Sequence, residues 1–336
     1  MSIEFAVKTE QLSRVYKTKK REIVALDRVD LEIPTGELFG LLGPNGAGKT
    51  TIIKILTTLL APSGGRALVA GVDVATNPWE VRRHISMVSG GESSGYGLLT
   101  VEENLWMFAQ FYGINGKLAR ARIRELLEIV GLADRAKTKI YHLSTGMRQK
   151  MNFVRGFLTD PRILFLDEPT LGLDVQTSRT LRAFIKDWVC KGPDKTVLLT
   201  THYMHEADEL CDRVAIIHDG CVLACDTPGN LKKRLQQEVV FLLQVTAMTG
   251  TEKLFEGMGG VRRFRHEEIN GRTDLYLTLD NERALAPILT AIQQSRGELI
   301  SLEKRSPTLE DVFVSMVGRG LKEEDESAVT ADGEPQ

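Results

Sequence analysis

The segment Gly43-Pro44-Asn45-Gly46-Ala47-Gly48-Lys49-Thr50-Thr51 constrains this chain more than any other. It follows an apolar run (Leu38, Phe39, Leu41, Leu42) and precedes the helix-like stretch 52–60. Strand, glycine-rich turn, Lys-Thr and helix form the context that a GxxxxGK(S/T) phosphate-binding loop requires. The glycines let the backbone curl so that successive N–H groups share one concavity. That concavity lies at the positive end of the following helix and suits the oxygens of a nucleotide. In such a loop Lys49 brings a point charge to the β- and γ-phosphates, and the Thr50 hydroxyl ligates Mg²⁺. A chance glycine-rich turn is the bland alternative. A dinucleotide fingerprint would want a third glycine where Thr51 stands. The expectation is a site for ATP or GTP.

The rest of the chain narrows the setting. Its 336 residues suit two domains of roughly 150 each. With 42% hydrophobic and 26% charged residues it has the composition of an ordinary globular protein. Its longest apolar runs, such as Val239–Leu243, fall short of the ~18 residues that span a bilayer. The N-terminus lacks a basic-then-apolar secretory pattern. The expected location is the cytosol, with any membrane role exercised through a separate partner. A net charge of −2 argues against a broad nucleic-acid partner. Cys190, Cys211, Cys221 and Cys225 read as reduced, buried thiols, since no second Cys/His pair joins Cys221 and Cys225 at zinc spacing.

Between residues 5 and 42, apolar and polar positions alternate as in strands (Val24, Leu26, Val29, Leu31, Ile33), with the basic run Lys17–Arg21 read as a solvated hairpin turn. Ala67–Val74 reads as a strand broken at Gly71, and Ile85–Val88 as another. From Val101 to Val130 the period becomes helical: Leu105, Phe108, Ala109 and Tyr112, then Ile123, Leu126, Leu127 and Val130. Ile163–Leu166, Thr196–Thr200 and Val214–Ile217 are apolar strands of the kind found in a parallel sheet covered on both faces. Strands alternating with helices predict an α/β fold.

Residues 236–319 change character. The pattern there is strand 239–247, helix near Leu254, strands 261–266 and 273–279, helix 284–293 and strand 297–304. That βαββαβ order predicts a small ferredoxin-like α+β domain. A last helix is expected to open at Ser306 and Pro307, with Leu309, Val312, Phe313, Met316 and Val317 as one apolar stripe. The acidic tail 320–336 reads as disordered.

A phosphate loop alone leaves a kinase, GTPase, helicase or transporter ATPase open. Further stretches narrow the choice. Asp167 and Glu168 end the strand Ile163–Leu166, where ligands sit in an open α/β sheet. Asp167 can hold Mg²⁺ and Glu168 can polarise an attacking water. Ser144, Thr145, Gly146 and Met147 stand at a predicted helix N-terminus, His202 follows another buried strand, and Leu171-Gly172-Leu173-Asp174 follows the acid pair.

The order of these motifs resembles the nucleotide-binding subunit of an ATP-binding-cassette (ABC) transporter, over about residues 5–235. The resemblance implies a P-loop ABC ATPase cassette at 1–235, with a helical subdomain at about 92–158, binding ATP and Mg²⁺. It implies a head-to-tail homodimer, or a pairing with another ATPase subunit. In that pairing Gly43–Thr51 of one copy faces Ser144–Met147 of the other. It makes Tyr16 the platform for adenine, brings His202 to the γ-phosphate and lets Asp174 bridge the pair. It places the subunit in the cytoplasm, peripheral on the inner face of the membrane, on a separate transmembrane permease.

Two departures from the family pattern stand out. The usual LSGGQ is here LSTGM, with Thr145 and Met147 substituted and Ser144 and Gly146 kept; this form resembles ABC-2 and drug-resistance exporters. Gly90 stands where a glutamine normally ends the strand Ile85–Ser89, so either Glu92 takes its role or coupling runs differently. The C-terminal stretch Thr308–Gly318 also resembles exporter ATPases. The leading expectation is a transport ATPase. Alternatives are a soluble ABC ATPase acting on ribosomes or nucleic acid, disfavoured by the single cassette without basic arms, and an inactive regulatory module motivated by Gly90.

Overall fold

The computed structural model describes residues 4–17, 21–89, 95–234, 239–246, 255, 258–269, 272–295, 297–305 and 307–317. The tip of the basic turn, Gly90 and Glu92, Leu254, Ser306 and the acidic tail lie outside the described residues. Contacts divide the chain into two compact units, Met1–Pro228 and Gly229–Gln336.

The N-terminal alternation forms β1 (Phe5–Lys17) and β2 (Glu22–Pro34), an antiparallel pair. Leu26, Val29, Leu31 and Ile33 are buried, whereas Val24, opposite Val15 toward the hairpin tip, is exposed. The three-residue step from Leu26 to Val29 departs from strict alternation because Arg28 adopts φ 47°, which kinks the strand and restores its apolar face to the core. β3 (Leu38–Leu42) enters a second sheet. β4 (Gly64–Val69) and β5 (Val72–Asp73) complete the first sheet in the order β2-β1-β4-β5, turning at Ala70 and Gly71 with positive φ.

The second sheet carries the chemistry. After α1 (Lys49–Leu56) and α2 (Pro78–His84) come β6 (Ile85–Ser89), then α3 (Val101–Phe111), α4 (Gly116–Ile129) and α5 (Thr145–Leu158). β7 (Ile163–Asp167), α6 (Val175–Cys190), β8 (Thr196–Thr201), α7 (Met204–Leu210), β9 (Arg213–His218) and β10 (Cys221–Asp226) follow. Strand order is β10-β9-β3-β8-β7-β6, parallel except for β10 against β9. β3, β7 and β8 are buried throughout, as expected of strands covered on both faces. Their register sets Asp167 opposite Thr200, and Leu42 opposite Thr201, so the ends that carry polar groups lie side by side.

The helical insertion is α3, α4 and α5, packed on one another. A reciprocal capping box between Thr100 and Glu103 starts α3. Leu105, Ala109, Ile123, Leu126, Leu127 and Val130 are buried as the helical period requires. Tyr112 is not: it caps the end of α3, where the stripe has already left the core, and is exposed. Cys190, at the last turn of α6, is likewise exposed rather than buried.

α8 (Pro228–Lys233) leads into the second unit. There β11 (Val239–Thr246), β12 (Val261–Ile269), β13 (Arg272–Leu279), α9 (Leu285–Gln294) and β14 (Leu299–Arg305) build an antiparallel sheet in the order β12-β13-β11-β14. This is the strand arrangement of a ferredoxin-like sandwich. Phe241, Leu243, Val245, Leu275, Leu277 and Leu279 pack with Ile288 and Ile292 of α9. The last helix, α10 (309–317), is capped by Thr308, not by the expected Ser306. The Asp311 N–H donates to the Thr308 hydroxyl oxygen at 3.2 Å, and Asp311 Oδ2 accepts from the Thr308 N–H at 2.8 Å. Leu309 and Val312 of the expected stripe are buried.

Candidate active site

The loop between β3 and α1 is built as a cradle. A Cβ at Gly43 would sit 2.2 Å from the Ile217 carbonyl oxygen, so only glycine lets β3 turn beside β9. Gly48 caps α1 at φ 108°, a conformation reserved largely for glycine, and a Cβ there would meet Ala25 O at 2.7 Å. Pro44, Asn45 and Gly46 form the exposed tip, while Ala47, Gly48 and Lys49 are buried.

The start of α1 and the Lys49 side chain make this cradle fit an anion. Helix α1 has no side-chain cap, and its first turn carries no acid, so its N-terminal end keeps the positive character that suits an anion. Lys49 is 5% exposed, with Nζ donating to the carbonyls of Gly43 at 2.7 Å and Pro44 at 3.0 Å. Burial pushes its ammonium below the ordinary lysine value, against the opposing pull of Glu168 and Asp167. A buried cation held mainly by neutral carbonyls is better satisfied by phosphate oxygens.

Beside the cradle lie the two acids. Asp167, at the end of β7, accepts from Thr50 Oγ1 at 3.0 and 3.3 Å and from the buried Thr200 hydroxyl. Hydroxyl and carboxylate oxygens are the hard donors that Mg²⁺ prefers, one or two protein ligands sufficing when phosphates supply others. Thr50 and Asp167 therefore fit that ion. Glu168 adopts φ 50°, in the left-handed region that a non-glycine residue enters at a cost of about 1–3 kcal/mol. It is held there by its N–H donating to Thr200 O at 3.1 Å. The strained backbone sets its carboxylate 3.1 Å from His202 Nδ1 and 3.9 Å from Lys49 Nζ.

The remaining sequence-predicted residues lie at the starts of α5 and α6, in α1 and on β1. Ser144 caps α5, its hydroxyl oxygen accepting from Met147 N at 3.2 Å, with Thr145, Gly146 and Met147 in the first turn. A Cβ on Gly146 would lie 3.5 Å from Gly172 O, so this turn runs beside the segment leading to Asp174. Asp174 caps α6, and its carboxyl is held below the usual range by the Thr177 hydroxyl at 2.7 Å and the Thr177 N–H at 2.8 Å. Thr51 continues the first turn of α1. Tyr16 lies on the other sheet, opposite Ile23, half-buried and with the Arg14 guanidinium 4.9 Å from its ring.

Three supporting residues escape a linear reading. Thr200 and Thr201 end a fully buried strand, and two hydroxyls in a dry sheet imply partners. Gln149 Nε2 donates to Pro169 O at 3.1 Å, joining α5 to the loop after Glu168.

Comparison with known proteins decides the family. The chain is 36% identical to a daunorubicin resistance ATP-binding protein, DrrA2, of Streptomyces coeruleorubidus, over 94% of this chain and 95% of that one. The chain belongs to the ATP-binding cassette (ABC) transporter family. The ABC transporter family model matches residues 26–171, and a model for the C-terminal domain of DrrA1-3-like ATP-binding proteins matches residues 227–317. This cassette is also 41% identical to the ABC transporter ATP-binding protein NatA of Bacillus subtilis, over 63% of its own length and 85% of NatA. Among solved structures, a dimeric post-hydrolysis state of the ATP-binding cassette MJ0796, bound to ADP and Pi, superposes with a TM-score of 0.61 at 28% identity. It covers 66% of this chain and 98% of that one. The chain is thus an ABC-type ATPase subunit related to drug-resistance ATP-binding proteins. Among its described residues no helix is long and apolar enough to cross a membrane.

Proposed function

We propose that this ABC ATPase binds Mg-ATP between two cassettes arranged head to tail and drives export through a separate transmembrane permease, working at the cytoplasmic face of the membrane. The observation that carries the reading is the convergence of Lys49, Thr50, Asp167, Glu168 and His202 at the ends of β3, β7 and β8. The similarity to drug-resistance ATP-binding proteins over nearly the whole chain supports the export direction. NatA and the MJ0796 dimer support the ATPase and the paired arrangement.

In this reading Lys49 turns from the Gly43 and Pro44 carbonyls to the β- and γ-phosphates. The N–H groups of Gly46–Thr51 cradle the phosphate oxygens, and Tyr16 stacks on the adenine. Thr50 and Asp167 hold Mg²⁺, which when bound neutralises charge on the phosphate oxygens. Glu168 accepts a hydrogen bond from the attacking water and aims it at the γ-phosphorus. His202, orientated by Glu168 at Nδ1, offers Nε2 to the γ-phosphate. Ser144, Thr145, Gly146 and Met147 of the opposite copy close over the triphosphate, and Asp174 bridges the copies. The cassette at 1–235 carries this work, and residues 236–319 form an accessory domain.

The test is mass spectrometry of proteins recovered with full-length Glu168→Gln from gently solubilised native membranes. A polytopic permease among them supports export. Ribosomal or nucleic-acid-associated proteins, with nothing from the membrane, would overturn it.

A further inference from the structure

Glu206 is a buried acid for which the nucleotide chemistry has no direct use. It lies on α7, 7% exposed, and its carboxylate meets three separate segments. Oε2 accepts from the Thr170 hydroxyl at 3.0 Å and from the Thr201 hydroxyl at 3.3 Å. Oε1 accepts from the Arg182 guanidinium at 3.2 Å, while another nitrogen of Arg182 lies 3.7 Å from Glu209.

Two of the partners stand close in sequence to a group of the triphosphate site, and the third lies on a helix that starts at one. Thr170 follows Glu168 by two residues, Thr201 immediately precedes His202, and Arg182 lies on α6, the helix that Asp174 caps. The Thr201 oxygen also accepts from Tyr203 N at 2.9 Å, closing the turn that carries His202. Its single proton is therefore committed to Glu206. A buried carboxylate is costly unless its lone pairs are used, and here every hydrogen bond reaches a segment that bears a functional side chain.

We propose that Glu206 is a positioning residue that ties the Glu168 loop, the His202 turn and α6 into one unit, so that Glu168 and His202 act in register. The proposal rests on the assignment of Glu168 and His202 to ATP hydrolysis. A carboxylate can do this where a carboxamide cannot. Two hydroxyl protons arrive on one oxygen and a guanidinium on the other. A glutamine with its NH₂ toward Arg182 sets donor against donor. With its NH₂ toward the threonines it takes away the acceptor of both hydroxyl protons and forces those hydroxyls to turn.

The test is steady-state ATP hydrolysis by the full-length chain, with ATP affinity and thermal unfolding measured alongside. Glu206→Gln is expected to lower kcat about tenfold or more, since misplacement by about 1 Å can cost ~100-fold, while KM for ATP stays within about twofold. Thr201→Val should reproduce that loss, Thr201→Ser should restore turnover, and the Glu206→Gln/Thr201→Val pair should be no slower than either alone. Wild-type kcat in Glu206→Gln, strictly additive losses in the pair, or Thr201→Ser as slow as Thr201→Val would overturn the role. Should Glu206→Gln fail to fold, the Thr201 variants carry the test. Glu168→Gln separates the two levels. Wild-type turnover there removes the underlying assignment, whereas loss there with wild-type turnover in Glu206→Gln removes only the role of Glu206.

Discussion

The Thr50 hydroxyl donates to Asp167 at 3.0 Å across 117 residues of sequence, joining the glycine-rich loop to the end of β7. Parallel pairing brings them there: β3 and β7 both flank β8, and their carboxyl ends share one edge of the sheet. A site at that edge is the general position for ligands of open α/β sheets.

From that pair follows a metal dependence. Asp167→Asn keeps the shape but removes the charge that would face Mg²⁺. Hydrolysis is expected to fall at least ~100-fold, and chelation of divalent ions should do the same to the wild type, because the ion supplies several kcal/mol of charge stabilisation. Hydrolysis assays with and without EDTA check both. Unchanged turnover in EDTA would contradict the assignment of Thr50 and Asp167.

Lys49 gives a prediction for stability as well as for nucleotide binding. Its folded pKa lies below the unfolded value of 10.5, so the unfolded chain binds the proton more tightly. The charge therefore works against folding, and stability from this group rises as pH climbs from the folded value toward 10.5. Lys49→Met should leave the nucleotide-free protein as stable as wild type or more so. It should also abolish the stabilisation by ATP, about 2.7 kcal/mol for the wild type at a hundred times Kd. Thermal unfolding with and without ATP reads both effects.

Asp160 provides an acid-side test away from the site. Partial burial pushes its carboxyl up, but Lys195 Nζ at 2.7 Å, Arg122 at 3.7 Å and the Trp188 N–H at 3.3 Å outweigh this and hold it below the ordinary aspartate value of 3.8. Its contribution is thus present above pH 3.8 and lost as pH falls through the lower folded value. Asp160→Asn should destabilise by about 1 kcal/mol at neutral pH, after allowance for solvent screening, with the difference vanishing in strong acid. Urea unfolding across pH 2.5–7 (an approximate range) checks this.

Tyr16 is tested by nucleotide affinity. Tyr16→Ala should weaken ATP about tenfold with little change in kcat, the signature of a binding contact that does not change in the transition state. Unchanged affinity would leave Tyr16 a strand residue stacked under Arg14.

The parts legible in the sequence share a physical reason: each is set by neighbours along the chain. The apolar runs of β3, β7 and β8, the glycine spacing of Gly43–Gly48 and the helical period of α4 are such signals. Local irregularities escaped it. The kink at Arg28 moved the apolar register, α3 ended before Tyr112 could face the core, and Thr308 rather than Ser306 closes the turn onto Asp311. The network around Glu206 was wholly invisible, because Thr170, Arg182, Thr201 and Glu206 have no shared spacing and meet only through the fold.

The most direct measurement is single-turnover ATP hydrolysis by Glu168→Gln, with the oligomeric state followed in the presence of ATP. Glu168 lies 3.1 Å from His202 and is strained into position, and its amide counterpart keeps the shape while losing the base. The expected result is retained ATP binding, accumulation of an ATP-bound dimer and turnover lowered at least ~100-fold, the scale of positioned general-base catalysis. Hydrolysis at the wild-type rate would contradict the assignment of Glu168 and with it the proposed mechanism.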